Sequence, residues 1–150
     1  MSKKDSYQVS LKLILKNEKG EILILRDRDD GTFGGFYDLP GGRIDTDEFS
    51  VDFRDIVLRE LKEETGNTQA IINKEPVALA RHQFRKLDEQ GRPVRVLYVF
   101  FTGQYLSGDI VISEEHTDYQ WIDLENIELE KYFTSGILEG IQIYLNKNSR

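Results

Sequence analysis

Apolar residues recur at every second position between Tyr7 and Lys16, with Val9, Leu11, Leu13 and Leu15 in phase, and that period predicts a β-strand. A polar turn from Asn17 to Gly20 follows. Beyond it, Glu21 to Arg26 carries the continuous run Ile22, Leu23, Ile24, Leu25, which predicts a second and more buried strand. The two are expected to form a hairpin. Asp27 to Gly35 is polar and glycine-rich and reads as an exposed loop. Tyr37 to Gly42 ends in Pro40-Gly41-Gly42, a turn in which the backbone can take conformations closed to other residues.

From about Ser50 to Thr65 the period becomes helical, with Phe53, Ile56, Val57 and Leu61 apolar and Gly66 placed to end the helix. Val77 to Leu87 and Pro93 to Tyr105 are strand-like and joined by Asp88 to Gly91, a second expected hairpin. Gln120 to Ile122 is a short strand candidate. Helical spacing returns from Gly136 to Leu145 through Ile137, Ile141 and Tyr144, and the polar tail Asn146 to Arg150 is expected to fray. Phe100, Phe101 and Trp121 are assigned to the core. No repeat, low-complexity tract or linker interrupts the pattern, so residues 1–150 are expected to form one mixed α/β domain.

Composition narrows the function classes. A chain of 150 residues buries roughly 70% of its unfolded surface and needs no staple. With no cysteine, disulfides, thiolate metal sites and a cysteine nucleophile are excluded. The balance of 20 basic against 27 acidic residues, a formal charge of -7, disfavours a nucleic-acid partner but leaves room for a local basic pocket that takes a small anion. The longest apolar runs are too short to span a bilayer, and no secretory signal is visible near Met1, so a cytoplasmic protein is expected with no membrane partner. Monomer and homodimer are both open.

The chemistry concentrates in two segments, Gly41 to Glu48 and Arg59 to Gly66. On a helix, Glu60, Glu63 and Glu64 project at about 0°, 300° and 40°, so three carboxylates share one face. Phe53 and Ile56 lie at about 20° and 320° on the same wheel, so the carboxylates continue an apolar stripe. Three like charges that close repel one another, and a half-buried trio calls for a cation; oxygen ligands with no His or Cys beside them suit Mg²⁺ or Mn²⁺. A solvated Glu-rich helix face with Lys62 as partner is the plainer alternative for Glu63 and Glu64 taken alone.

With Arg59, Gly66 and the upstream Pro-Gly-Gly included, the chain resembles the Nudix family. That family's box reads Gly, five residues, Glu, seven residues, then Arg-Glu-apolar-any-Glu-Glu-any-Gly-apolar. Gly42 and Glu48 satisfy the first spacing, and Arg59-Glu60-Leu61-Lys62-Glu63-Glu64-Thr65-Gly66 matches the second part. Two departures stand out. Ten residues rather than seven separate Glu48 from Arg59, and Asn67 takes the place of the final apolar residue. Three extra residues are close to one helical turn, so either the helix starts a turn earlier or the loop bulges, and Asp47 or Asp52 competes with Glu48 for its place.

The resemblance implies a Nudix fold, a mixed β-sheet sandwiched between helices (α/β/α). It implies a divalent cation held by Glu60, Glu63 and Glu64 with the carbonyl of Gly41, and an Arg59 that orients Glu60. A further acidic ligand is expected before the Trp121 strand, with Glu115 first and Glu114 in reserve; an ordinary charged loop would read the same. The implied reaction is hydrolysis of a nucleoside diphosphate linked to another group, such as a sugar nucleotide, a nucleoside triphosphate or a dinucleoside polyphosphate, with Glu60 or Glu63 as base. Phe33, Phe36 and Tyr37 are candidates to stack on a base or sugar, and Arg26, Arg81, Arg85 and Arg95 to meet phosphates. His82 and His116 stand apart from other metal ligands in the sequence and read as ordinary hydrogen-bonded or exposed histidines. The alternative function is a nucleotide-binding module without turnover; a prenyl diphosphate isomerase ranks last, because that branch uses a cysteine.

Overall fold

The computed structural model describes residues 2–148. Its strands are β1 (Gln8–Lys16), β2 (Ile22–Asp27), β3 (Tyr37–Asp38), β4 (Gly41–Arg43), β5 (Gln69–Ile72), β6 (Ala78–Gln83), β7 (Arg95–Ser107) and β8 (His116–Ile122). Its helices are α1 (Phe53–Thr65) and α2 (Ser135–Asn148), with short 3₁₀ turns at Thr46–Glu48, Leu124–Asn126 and Leu129–Lys131. The sheet is mixed: β1 runs parallel to β7 along its whole length, from Gln8 opposite Val96 to Lys16 opposite Gln104, while the other pairings are antiparallel.

The alternation in β1 sorts its side chains to two faces, as a period of two requires. Leu11, Leu13 and Leu15 join Leu23, Leu25, Ile56, Val57 and Leu61 in a core beneath α1. Ile14 joins Ile22, Ile24, Phe100, Ile137 and Ile141 in a second core beneath α2. Helices thus cover both faces of the sheet, which is the expected α/β/α layering. Phe100 and Phe101 are buried on opposite faces, and Trp121 is half-buried at the rim, its ring 5.1 Å from that of Tyr105.

Several expected boundaries move. The first hairpin closes through its turn, where Asn17 N–H donates to Glu21 O at 3.0 Å, but β1 and β2 pair only at Lys16 and Ile22 and then diverge. β4 lies alongside Ser10 to Lys12, and β8 pairs with β2 from Ile22 to Asp27. Gly41 and Gly42 are therefore strand residues rather than turn residues. Gly41 has φ +143°, and a Cβ there would meet the backbone carbonyl of Leu11 well inside contact distance. The strand expected to reach Leu87 stops at Gln83, because Asp88 draws the chain into a tight loop, accepting from the N–H groups of Gln90 and Arg92 at 2.9 and 2.8 Å. β5 is a four-residue edge strand whose apolar run, Ala70 to Ile72, is too short to stand out, and β8 starts four residues before Gln120, through Thr117 to Tyr119, which are exposed and carry no alternation. Asn146 to Asn148 continue α2 rather than fraying, and Ser149 and Arg150 lie outside the described residues.

The three-residue insertion is absorbed as a loop. After the 3₁₀ turn at Thr46–Glu48 the chain bulges through Phe49 and Val51, both exposed, and α1 begins at Phe53 rather than Ser50. Asp52 is its N-cap, accepting from Arg54 N–H at 2.9 Å. Asp52→Ala removes that acceptor and is expected to cost about 1 kcal/mol in urea denaturation. Gly66 ends the helix as expected, at φ +83° with its N–H donating to Lys62 O at 2.9 Å.

Candidate active site

The box residues separate into two groups. In the first, Arg59 is the hub. Its guanidinium grips Glu48 with Nη2 to Oε1 at 2.9 Å and Nε to Oε2 at 3.1 Å, lies 3.2 Å from Glu60 Oε1, and donates to Glu63 Oε1 at 3.1 Å. Glu48 also accepts from Asp45 N–H at 2.9 Å, so it keeps its place despite the insertion, while Asp47 is exposed and Asp52 serves the helix cap. The backbone N–H of Asp45 and the Arg59 guanidinium hold the Glu48 carboxyl below its ordinary range. Burial raises the pKa of Glu60, opposed by Arg59. Gly42 lets Glu60 come close: a Cβ at that glycine would lie 2.6 Å from the Glu60 carboxyl carbon.

The second group centres on Glu64, which is buried and accepts from Gly41 N–H at 2.7 Å. Among the described residues no lysine or arginine pairs with it. Lys12, buried in the middle of β1, donates instead to Asp38 Oδ2 at 2.9 Å and stands 5.7 Å from the centre of the Tyr98 ring. Burial alone would lower the pKa of Lys12, but Asp38 and Glu64 together raise it, so the ammonium stays charged. Glu64 itself is lifted well above the usual carboxylate range by burial, with Lys12 and the Gly41 N–H opposing.

Tertiary hydrogen bonds bring the segment before β8 to this carboxylate. Val111 N–H donates to Thr65 O at 3.0 Å and Ser113 N–H to Glu64 O at 3.1 Å, clamping the chain onto the end of α1. Donor atoms of Glu64, Glu115 and His116 consequently lie within 4.8 Å of one another. His116 Nε2 is 3.8 Å from Glu64 Oε2, and burial lowers its pKa, so imidazole and carboxyl are both pushed toward their neutral forms rather than into an ion pair. The structure thus joins Glu115 and His116 to Glu64, and turns Glu60 and the exposed Glu63 toward Arg59. His116 lies beside Glu64 and Glu115, two of the carboxylates expected as ligands, rather than apart from them as its place in the sequence implied. His82 does behave as an ordinary histidine, bonded through Nδ1 to Ser135 Oγ at 2.7 Å.

Two clefts meet here. One, about 510 Å³, is lined by charge: Lys12, Asp38, Glu64, Glu115 and His116, with Arg28 and Arg43 in its walls. The other, about 880 Å³, is aromatic and basic, with Phe36, Phe84, His82, Arg85 and Lys86. They share Asp30 to Phe33, Arg43 and Phe84. The Arg43 guanidinium lies 5.0 Å over the Phe84 ring, on the common wall. Of the residues expected to contact substrate, Phe33 lines both clefts and Phe36 and Arg85 the second, whereas Arg26, Tyr37, Arg81 and Arg95 line neither. Arg26 donates to Thr117 Oγ1 at 3.1 Å, the Tyr37 hydroxyl accepts from Gln120 Nε2 at 2.7 Å, and Arg81 donates to the Tyr7 hydroxyl at 3.3 Å. Arg28 and Arg43, neither of them expected from the sequence, line the clefts beside Arg85.

The buried carboxyls have a consequence for stability. A folded-state pKa above the unfolded one means that the unfolded chain binds fewer protons in the window between the two, so stability falls as pH rises through it. The metal-free protein is expected to melt at progressively lower temperature from about pH 4.5 upward as Glu60 and Glu64 ionise, and added Mg²⁺ or Mn²⁺ should restore more at neutral pH than at pH 4.5. A scanning fluorimetry series across pH, with and without cation, checks both statements.

Known proteins resemble this chain in sequence and in fold. A sequence profile of the NUDIX domain matches residues 6–139. A nucleoside triphosphatase of Klebsiella pneumoniae, NudI, is 27% identical over 121 residues, which is 77% of this chain and 84% of that protein. An ADP-ribose pyrophosphatase of Methanocaldococcus jannaschii is 26% identical over 110 residues, 73% of this chain and 59% of that protein. The solved structure of a MutT protein from Methanosarcina mazei Go1 superposes with a TM-score of 0.76 at 28% identity, over 99% of this chain and all of that one. No helix among the described residues is long and apolar enough to cross a membrane.

Proposed function

The chain belongs to the Nudix family, and from that premise we propose that it hydrolyses a phosphoanhydride bond in a small nucleotide, a nucleoside diphosphate linked to another group, with a divalent cation as cofactor. The relatives support the substrate class: one is a nucleoside triphosphatase and another an ADP-ribose pyrophosphatase. The observation that carries the reading is the junction of the two clefts, because a nucleotide has the same division. Its phosphates suit the charged cleft under Arg28 and Arg43, and its base suits the aromatic cleft of Phe36 and Phe84.

The donors proposed for the cation are the carboxylates of Glu60, Glu63, Glu64 and Glu115 and the carbonyl of Gly41. They fit such a group, since Glu64 is a buried carboxylate with no lysine or arginine paired to it among the described residues. When bound, a divalent cation offsets phosphate charge and acidifies a water. Glu60 is the proposed proton acceptor: burial moves its pKa toward the working range of a general base, while the Glu63 side chain is 59% exposed. Arg59 acts as a positioning residue, holding Glu48, Glu60 and Glu63 in fixed relation.

A panel of nucleoside triphosphates, sugar nucleotides and dinucleoside polyphosphates, incubated with the purified chain and Mg²⁺ or Mn²⁺, tests this. Cation-dependent release of a nucleoside monophosphate or of pyrophosphate is the expected outcome. Measurable nucleotide affinity without any product would replace the hydrolase with a binding module.

A further inference from the structure

The chain has two histidines, and one of them has no ordinary occupation. His116 is nine-tenths buried, yet its Nδ1 is the buried side-chain atom left without a hydrogen-bond partner among the described residues. Its Nε2 faces Glu64 Oε2 at 3.8 Å, too far for a hydrogen bond. Among the described residues neither ring nitrogen is thus committed to a hydrogen bond, which leaves Nε2, the nitrogen on the Glu64 side, available to a ligand. The spacing suggests which kind. Two donors each about 2.0–2.2 Å from a shared cation stand roughly 3 to 4.4 Å apart as their angle opens from a right angle to a straight line. The 3.8 Å between Nε2 and Oε2 falls inside that range, and Glu115 adds a third donor within 4.8 Å on an exposed side chain.

The position is built rather than incidental. The hydrogen bonds from Val111 and Ser113 to the end of α1 fix where the chain enters β8, and His116 N–H donates to Ser113 O at 3.3 Å to complete the turn. We propose that His116 coordinates the site's cation through Nε2, giving an otherwise all-oxygen donor set one nitrogen. This deepens the hydrolase reading and rests on it for the presence of a cation. The chemical consequence is selectivity. Oxygen donors alone suit Mg²⁺, whereas an imidazole favours first-row transition ions and tilts the site toward them.

The test uses the purified metal-free chain with Zn²⁺ and Mg²⁺ as probes in separate calorimetric titrations, beside a ring ¹⁵N spectrum in which His82 is the internal control. Zn²⁺ is expected to shift the His116 ring nitrogens and leave those of His82 in place. In His116→Gln, Zn²⁺ affinity should fall about tenfold or more, with Mg²⁺ affinity changed far less. An unmoved His116 signal, or equal effects of the substitution on both ions, would overturn the proposal. Should the variant fail to fold, the wild-type ring spectrum still decides. If wild-type protein binds neither ion, the cation-dependent hydrolase reading itself falls; if it binds both and His116 takes no part, only this inference does. Loss of nucleotide affinity in His116→Gln with both metal affinities intact would make the histidine a substrate contact and also overturn it.

Discussion

Glu64→Gln is expected to lower the rate of nucleotide hydrolysis by about a hundred- to ten-thousandfold while leaving the metal-free protein at least as stable at neutral pH. Both halves follow from where this carboxylate sits. It is buried against the Gly41 N–H, and burial raises its pKa, so its charge is costly to the empty protein. Glutamine keeps an oxygen for the Gly41 N–H at nearly the same volume and removes that charge. The decline in melting temperature above pH 4.5 should therefore flatten in the variant, and added cation should raise its melting temperature far less than that of wild type. Activity assays and pH-resolved melting together check it. Wild-type turnover in Glu64→Gln would remove this residue from the proposed donor set.

The second large effect is on stability and falls on a residue outside the box. Lys12→Met should destabilise the chain by about 3–5 kcal/mol, because it strands the half-buried Asp38 and the buried Glu64 with no cation beside them. Asp38→Asn in the same chain should restore part of that loss, since it removes one of the two carboxylates left without their cation. Urea denaturation of the two single variants and the double variant gives the coupling directly. Additive losses would mean that the 2.9 Å ion pair contributes little and that Lys12 acts through packing alone.

These two residues also mark how far a sequence can be read. Glu64 was legible because its chemistry is local: helical spacing alone puts it beside Glu60 on one face of α1. What the wheel does not carry is the gradient across that face, from buried Glu64 through Glu60 to exposed Glu63, which depends on β4 and the clamped 111–113 segment. Lys12 gave a faint signal, a lone charge in the apolar run Val9 to Leu15, but its partner Asp38 lies on β3, and the pairing of β3 with β2 and of the following β4 with β1 is what brings the two together. His116 gave only the hint of standing next to Glu115, and it meets Glu64 through backbone hydrogen bonds between segments some fifty residues apart in sequence. The core strands were readable for the opposite reason: the alternation in β1 and the unbroken apolar run of β2, whose successive side chains enter opposite cores, are local signals that need no distant partner. The insertion was read as two equal possibilities, and the cap at Asp52 is what decides for the bulge.

The parallel pairing of β1 with β7 bears on how the molecule is born. A ribosome releases β1 first and finishes the acidic helix at Thr65, yet the opening rung of that ladder waits for Val96. Until then the emerging chain can hold Glu60, Glu63 and Glu64 in a helix without the strand partner that buries Lys12 from below. Native burial of the carboxylates is thereby deferred to the last third of synthesis, and long-range closure of this kind makes for slow assembly.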